Sequence, residues 1–180
     1  LVLHGGPGME HSYLAHPLHG LSGLFEFVFY DQIVHDKGET NPIPQLVEQL
    51  AVLVHGCLQS GSLGVLAHSW GAYLLYELLA RDTNLVLSHA ILVSPVGLTK
   101  ERFDASGGRI VSRIPDAVMS EMQSLAADGK DREVMDLIYP YYLAQRNRHM
   151  ACPVGRYSNS DNERIIAAIG DYDFRSLGSR

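Results

Sequence analysis

Two cysteines, one tryptophan and no long apolar run set the first limits on this 180-residue chain. Cys57 and Cys152 are too few for a disulfide framework and too far apart for a CxxC site, so a reduced, cytoplasmic setting is the expectation. No stretch approaches the ~18 uninterrupted apolar residues that a membrane helix needs. Basic residues are also scarce: 14 Lys and Arg stand against 20 Asp and Glu, and they are scattered, which argues against a nucleic-acid partner. Repeats and low-complexity tracts are absent. What remains, 46% hydrophobic and 19% charged, is the composition of a folded domain with one sizeable core.

The ends lack the usual punctuation too. The chain opens on LVLHGG, which reads as the second half of a buried strand entering a glycine turn. It carries no initiator methionine and no basic leader. It closes on DYDFRSLGSR, a polar segment with no terminal helix or strand. Both ends are therefore expected to be cuts in a longer protein.

Between the ends, strand and helix patterns alternate. Residues 1–4 are apolar and stop hard at Gly5-Gly6-Pro7-Gly8. Leu14, Leu18 and Leu21 are spaced for a weak helix, and FEFVFYD (25–31) reads as a strand that delivers Asp31 at its end. Leu46, Leu50, Leu53 and Val54 share a helical face, with Pro44 near its start. SLGVLAH (62–68) is the next strand, residues 70–81 the next helix, and LVLSHAILVSP (85–95) contains another buried strand. Such alternation with short connections predicts a mostly parallel sheet covered by helices on both faces. From Leu98 to about Asn162 no strand is evident. Residues 114–129 and 130–149 read as amphipathic helices, the second bent or ended at Pro140, and 160–170 as a short helix capped by Ser160. A helical insertion of this kind commonly forms a lid over strand ends.

Ser69 sits in AHSWG, at the apex between the strand and the helix, with small residues at 67 and 71 where side chains would crowd the bend. This is the pattern of a nucleophile elbow, G-x-S-x-G, with Ala67 in place of the first glycine. A serine hydroxyl needs a general base in reach and donors aimed at the developing oxyanion. HGGPG (4–8) offers a glycine turn at a neighbouring strand end. The backbone N–H groups of Gly5 and Trp70 are the expected donors, with Gly6 as the rival to Gly5. A plain strand-to-helix turn capped by Ser69 is the alternative reading.

Together these motifs resemble the α/β-hydrolase superfamily, and within it the prolyl iminopeptidase-like group. The resemblance rests on His4-Gly5-Gly6-Pro7-Gly8, then Tyr30-Asp31-Gln32, then His68-Ser69-Trp70-Gly71-Ala72, and it covers roughly residues 1–97. The chain departs from the group where Ile33-Val34-His35-Asp36-Lys37-Gly38 replaces a glycine- and arginine-rich turn, and where Ala67 and Ala72 replace glycines. The resemblance implies a partial α/β-hydrolase core over 1–97, a helical cap over 98–162, and a return segment over 163–180. It further implies a serine hydrolase working through an acyl-enzyme, with aminopeptidase action on a small-molecule or short-peptide substrate. Substrate contacts are expected from His4 and His68, and from Glu121 and Glu133 by composition. An ester or lactone hydrolase of the same fold and a non-catalytic binding module remain alternatives.

No organic cofactor is required for hydrolysis. A metal site is disfavoured, because His16 and His19 are interrupted by Pro17 and have no carboxylate at ligand spacing. After Ser69 only His89 and His149 remain as histidines, His89 reading as a packed strand residue and His149 as part of a lid. Asp161, Asp171 and Asp173 follow, and none of them precedes a histidine. The resemblance therefore puts the acid and base of a triad beyond Arg180, and residues 1–180 alone are expected to be poor catalysts. Self-association through an exposed edge strand is a further possibility that the apolar strands raise.

Overall fold

The computed structural model describes every residue except 36, 37, 39, 144–146, 149 and 180. Its sheet has three parallel strands, β1 (Val2–Leu3), β2 (Gly64–His68) and β3 (His89–Val93), in the order β1-β2-β3. Register pairs Leu3 with Ala67 and His68 with Val93, so the three strands end level with one another. The seven helices described are α1 (Ser12–Leu18), α2 (Ile43–Leu58), α3 (Trp70–Arg81), α4 (Lys100–Val111), α5 (Asp116–Ala127), α6 (Asp131–Tyr142) and α7 (Asn159–Ala168). The fold class is therefore α/β, a small parallel sheet flanked by helices. Among the described residues no helix is long and apolar enough to cross a membrane.

The main core forms where α2 and α3 lay their apolar faces against the sheet. Leu46, Leu50 and Val54 of α2 meet Leu74, Leu75 and Leu78 of α3 over Leu3, Val65 and Ala67, all buried. Burying a Leu or Val side chain contributes about 1.5–3 kcal/mol, so this seam dominates the stability of the layer. Small residues let α3 come close. A Cβ on Gly71 would lie 2.7 Å from the carbonyl oxygens of Leu3 and His4, so only glycine lets the start of α3 rest on the end of β1.

A second cluster belongs to the helices that follow β3. Val134, Met135 and Ile138 of α6 bury themselves with Val154 and Tyr157, and Met122 and Leu125 of α5 pack around them. Met9 and Tyr13, from the segment after β1, join this cluster and tie it to the sheet. Residues 163–178 pack on the main core through Ile165, Ile169 and Phe174. Their backbone joins residues 97–100, with Phe174 N–H donating to Leu98 O at 2.8 Å and Lys100 N–H to Tyr172 O at 3.1 Å.

Several expectations change. Residues 25–30 form no ladder: only Phe29 makes a bridge, to Val2. The buried strand expected within 85–95 forms as β3 but is exposed at every residue, Ile91 at 57%. It is the last strand in the order, and nothing among the described residues covers it. α4 was not legible, because Gly107 and Gly108 dilute its pattern and none of its residues is buried. The cap of α7 is Ser158 rather than Ser160: its Oγ accepts from Asp161 N–H at 3.3 Å. Pro140 lies inside α6, which ends two residues later.

Candidate functional site

Ser69 lies between the last residue of β2 and the first of α3 with φ 51° and ψ −114°. A positive φ costs a residue with a Cβ about 1–3 kcal/mol, so surrounding bonds must hold it there. Three backbone bonds do so. Ser69 N–H donates to Val93 O at 3.0 Å, and its carbonyl accepts from Ala72 N–H at 3.0 Å and Val96 N–H at 3.4 Å. The side chain makes no hydrogen bond to any described residue and does not cap α3. Ser69 thus stands at the N-cap position of α3 without its side chain satisfying a helix N–H. Ser69 is half-buried, and the N–H of Trp70, at the positive end of α3, has no partner among the described residues.

The HGGPG turn is held from both sides. Beneath it, His4 is fully buried and Gln32 N–H donates to its Nε2 at 3.1 Å. Its Nδ1 therefore carries the proton and donates to Gly5 O at 3.0 Å. Burial holds the His4 pKa below its ordinary value, so the ring stays neutral. With both ring nitrogens engaged, His4 braces the backbone and presents no atom to a substrate, which corrects its expected contact role. Above the turn, Gly8 has φ 80°, and a Cβ there would lie 2.3 Å from Ser158 O. Ser158 N–H donates to Gly8 O at 2.8 Å and Asn162 Nδ2–H to Pro7 O at 2.9 Å.

Gln32 joins the three motifs. Its Nε2–H donates to His4 O at 3.0 Å, and its Oε1 accepts from Trp70 Nε1–H at 2.9 Å. Trp70 then stacks on Tyr73 with ring centroids 4.8 Å apart, and Tyr73 meets Tyr172 and Phe174 edge-on. Sequence reading named the DQ pair only as part of a resemblance. The bond itself joins residues 38 apart and leaves no local trace.

Of the expected oxyanion donors, Gly5 has its N–H in a 2.6 Å bond to the hydroxyl of Tyr13. The N–H of Gly6 has no partner among the described residues, and its φ of 55° turns the chain over Met9. Tyr13, which sequence reading missed, also places its hydroxyl 2.7 Å from His68 Nδ1. Burial lowers the His68 pKa, so the neutral ring accepts and Tyr13 donates. Burial likewise pushes the Tyr13 phenol up to about 12.

Glu121 and Glu133 are exposed on α5 and α6, and no contact among the described residues brings either to Ser69. His89 is exposed at the start of β3, and His149 lies outside the described residues. Asp31 accepts from His11 through both its backbone N–H, at 3.0 Å, and its Nδ1, at 2.9 Å, with Arg156 at 3.6 Å. These bonds from His11 lower the Asp31 pKa against the opposing effect of desolvation. No group of three His, Cys, Asp or Glu among the described residues is placed to hold a metal ion.

No protein-family description matches the chain, and no curated protein does. Among solved structures, the crystal structure of VinJ is similar, with a TM-score of 0.53 at 19% identity. The match covers 92% of this chain and 57% of VinJ, so the chain spans little more than half of VinJ's length. At that identity the likeness is one of fold alone, a parallel sheet flanked by helices.

Proposed function

We propose, from an α/β-hydrolase-like fold that turns at a strained serine, that this chain is the nucleophile-bearing part of a serine hydrolase. The observation that carries the reading is Ser69 at φ 51°, held by three backbone bonds between β2 and α3 with its hydroxyl unspent. A serine needs no such backbone merely to join a strand to a helix. In the proposed reaction Ser69 Oγ attacks the substrate carbonyl carbon and gives its proton to a general base. The oxyanion is held by the N–H groups of Trp70 and Gly5, with Gly6 as the rival donor. Collapse expels the amine or alcohol with that proton, and water then releases the acyl group by the same route in reverse.

In this reading the base comes from outside the described residues, a choice supported by His4 being locked to the backbone, His68 being engaged by Tyr13, and no described histidine bonding Ser69. The proposed substrate is a short peptide or small molecule with a free N-terminal residue, cleaved as a prolyl iminopeptidase would. The exposed carboxylates of Glu121 and Glu133 are candidates for its amine. An ester or lactone is the rival substrate within the same chemistry.

A fluorophosphonate probe tests the reading on the protein at the length its host produces. Expected is one adduct by intact mass, lost in Ser69→Ala, together with hydrolysis of a proline arylamide. Failure to label Ser69 would end the hydrolase reading and leave a binding module. That second reading draws on the Gly5 N–H already being occupied by Tyr13.

A further inference from the structure

We infer that Tyr13 is a gate on the oxyanion site: its hydroxyl occupies the N–H of Gly5 and must leave before that N–H can bind a substrate oxyanion. The inference rests on the serine hydrolase reading and adds a residue that neither the motifs nor the fold supplies.

The geometry is a short chain of donors and acceptors. Gly5 N–H donates to Tyr13 Oη at 2.6 Å, and Tyr13 O–H is 2.7 Å from His68 Nδ1. Three residues meet here with no room to spare. A Cβ built on Gly5 would lie 2.5 Å from His68 Nδ1 and 2.9 Å from Tyr13 Oη. The rings of Tyr13 and His68 pack edge to face at 5.6 Å. His68 is the residue before Ser69, so the phenol is docked on the nucleophile's own strand end.

Two further facts suit a gate better than a fixed brace. Gly5 is buried, and a buried amide N–H left without a partner is costly. Tyr13 meets that need in the resting protein, and an oxyanion would meet it in the reacting one. Only one oxygen can hold the position at a time. The ring of Tyr13 is rooted in the cluster of α5 and α6, whereas Gly5 follows β1. A shift of the helical layer relative to the sheet would draw the hydroxyl off Gly5 without disturbing Ser69. High phenol acidity is not involved, since burial keeps Tyr13 protonated throughout the working pH range.

The reaction then has a competition step. Substrate oxyanion replaces the phenol oxygen on Gly5 N–H, and no bond to Tyr13 is made or broken covalently. Removing the phenol should remove the competitor, by roughly the worth of one neutral hydrogen bond, about tenfold in rate.

The test is the rate of Ser69 phosphonylation by a fluorophosphonate, wild type against Tyr13→Phe, on the protein at its natural length. Expected is a rate about tenfold higher in Tyr13→Phe. An unchanged or lower rate, with wild type labelled at Ser69, overturns the gate and leaves the hydrolase reading standing. That is also the outcome if Gly6 is the working donor. No Ser69-dependent adduct in either protein overturns both. Should Tyr13→Phe fail to fold, the wild-type Gly5 amide resonance decides instead. It should shift when the phosphonate adduct forms and Tyr13 is displaced, and an unmoved resonance overturns the gate.

Discussion

Replacing Gln32 by Leu removes one amide and leaves two buried groups without partners. Trp70 Nε1–H loses its acceptor at 2.9 Å, and the carbonyl of His4 loses its donor at 3.0 Å. Both residues are shut off from water, Trp70 at 1% exposure and His4 at 0%, so solvent cannot substitute. An unsatisfied buried polar group costs about 1–3 kcal/mol, and partial relaxation of the indole puts the pair near 3 kcal/mol. Leu matches Gln closely in volume, so a cavity adds little. In urea, with a slope of about 2 kcal/mol per molar, the midpoint should fall by about 1.5 M. The assay reports from the place of the change, because Trp70 is the single tryptophan of the chain. Its emission should alter in the folded state as the indole loses its partner. Gln32→Glu, which keeps an oxygen for Trp70 Nε1–H, should recover part of the emission. A midpoint shift below about 0.3 M with unaltered emission would refute the claim that Gln32 holds the motifs together.

The remaining predictions touch other parts of the site. Burial lowers the pKa of His4 and His68, so below about pH 6.5 the unfolded chain binds protons that the folded one refuses. Stability should therefore fall as pH drops from about 6.5, the slope should flatten in His68→Gln, and a profile level between pH 7.5 and 5.5 in urea titrations would contradict it. Gly8→Ala must place a Cβ 2.3 Å from Ser158 O at φ 80°, and a loss of about 2–4 kcal/mol should appear in its thermal melt. Gly107→Ala sits inside α4 with nothing within 4 Å, and should instead stabilise by about 1 kcal/mol. A polypeptide ending at Arg180 should turn over neither proline arylamide nor simple esters, and Ser69-dependent turnover by it would show that the base lies within residues 1–180.

The strand-serine-helix order around Ser69 was legible because its sequence pattern is local, whereas the bonds from Val93 and Val96 that hold its φ were not. An apolar strand, a serine between small residues and an amphipathic helix follow one another within residues 62–82, and packing only confirmed the order. The HGGPG turn was legible for the same reason, as a run of residues that other side chains cannot replace. What joins these pieces was not legible. Tyr13 and His68 are 55 positions apart, Gln32 and Trp70 are 38, and no pattern on either element announces its partner. His4 misled because histidine beside a glycine turn suggests chemistry, whereas burial and two backbone bonds settle it as a brace. β3 misled in the opposite direction. Its sequence is that of an interior strand, but burial depends on what lies next to it, and among the described residues that side is open.

The clamp on the HGGPG turn has a consequence in time. The bond from Asn162 to Pro7 closes across 155 residues, the longest reach of any side-chain contact described. A ribosome adding about 5–20 residues each second needs roughly 8–30 s to pass from one to the other. During that interval the nascent chain can complete β2, the turn at Ser69 and α3, all contiguous, while Pro7 and Gly8 wait without their second wall. The turn at Ser69 is thus made early and the opposing turn is finished late. A chain halted before residue 158 would carry Ser69 facing a turn braced from beneath by His4, Gln32 and Tyr13 but open on its other side.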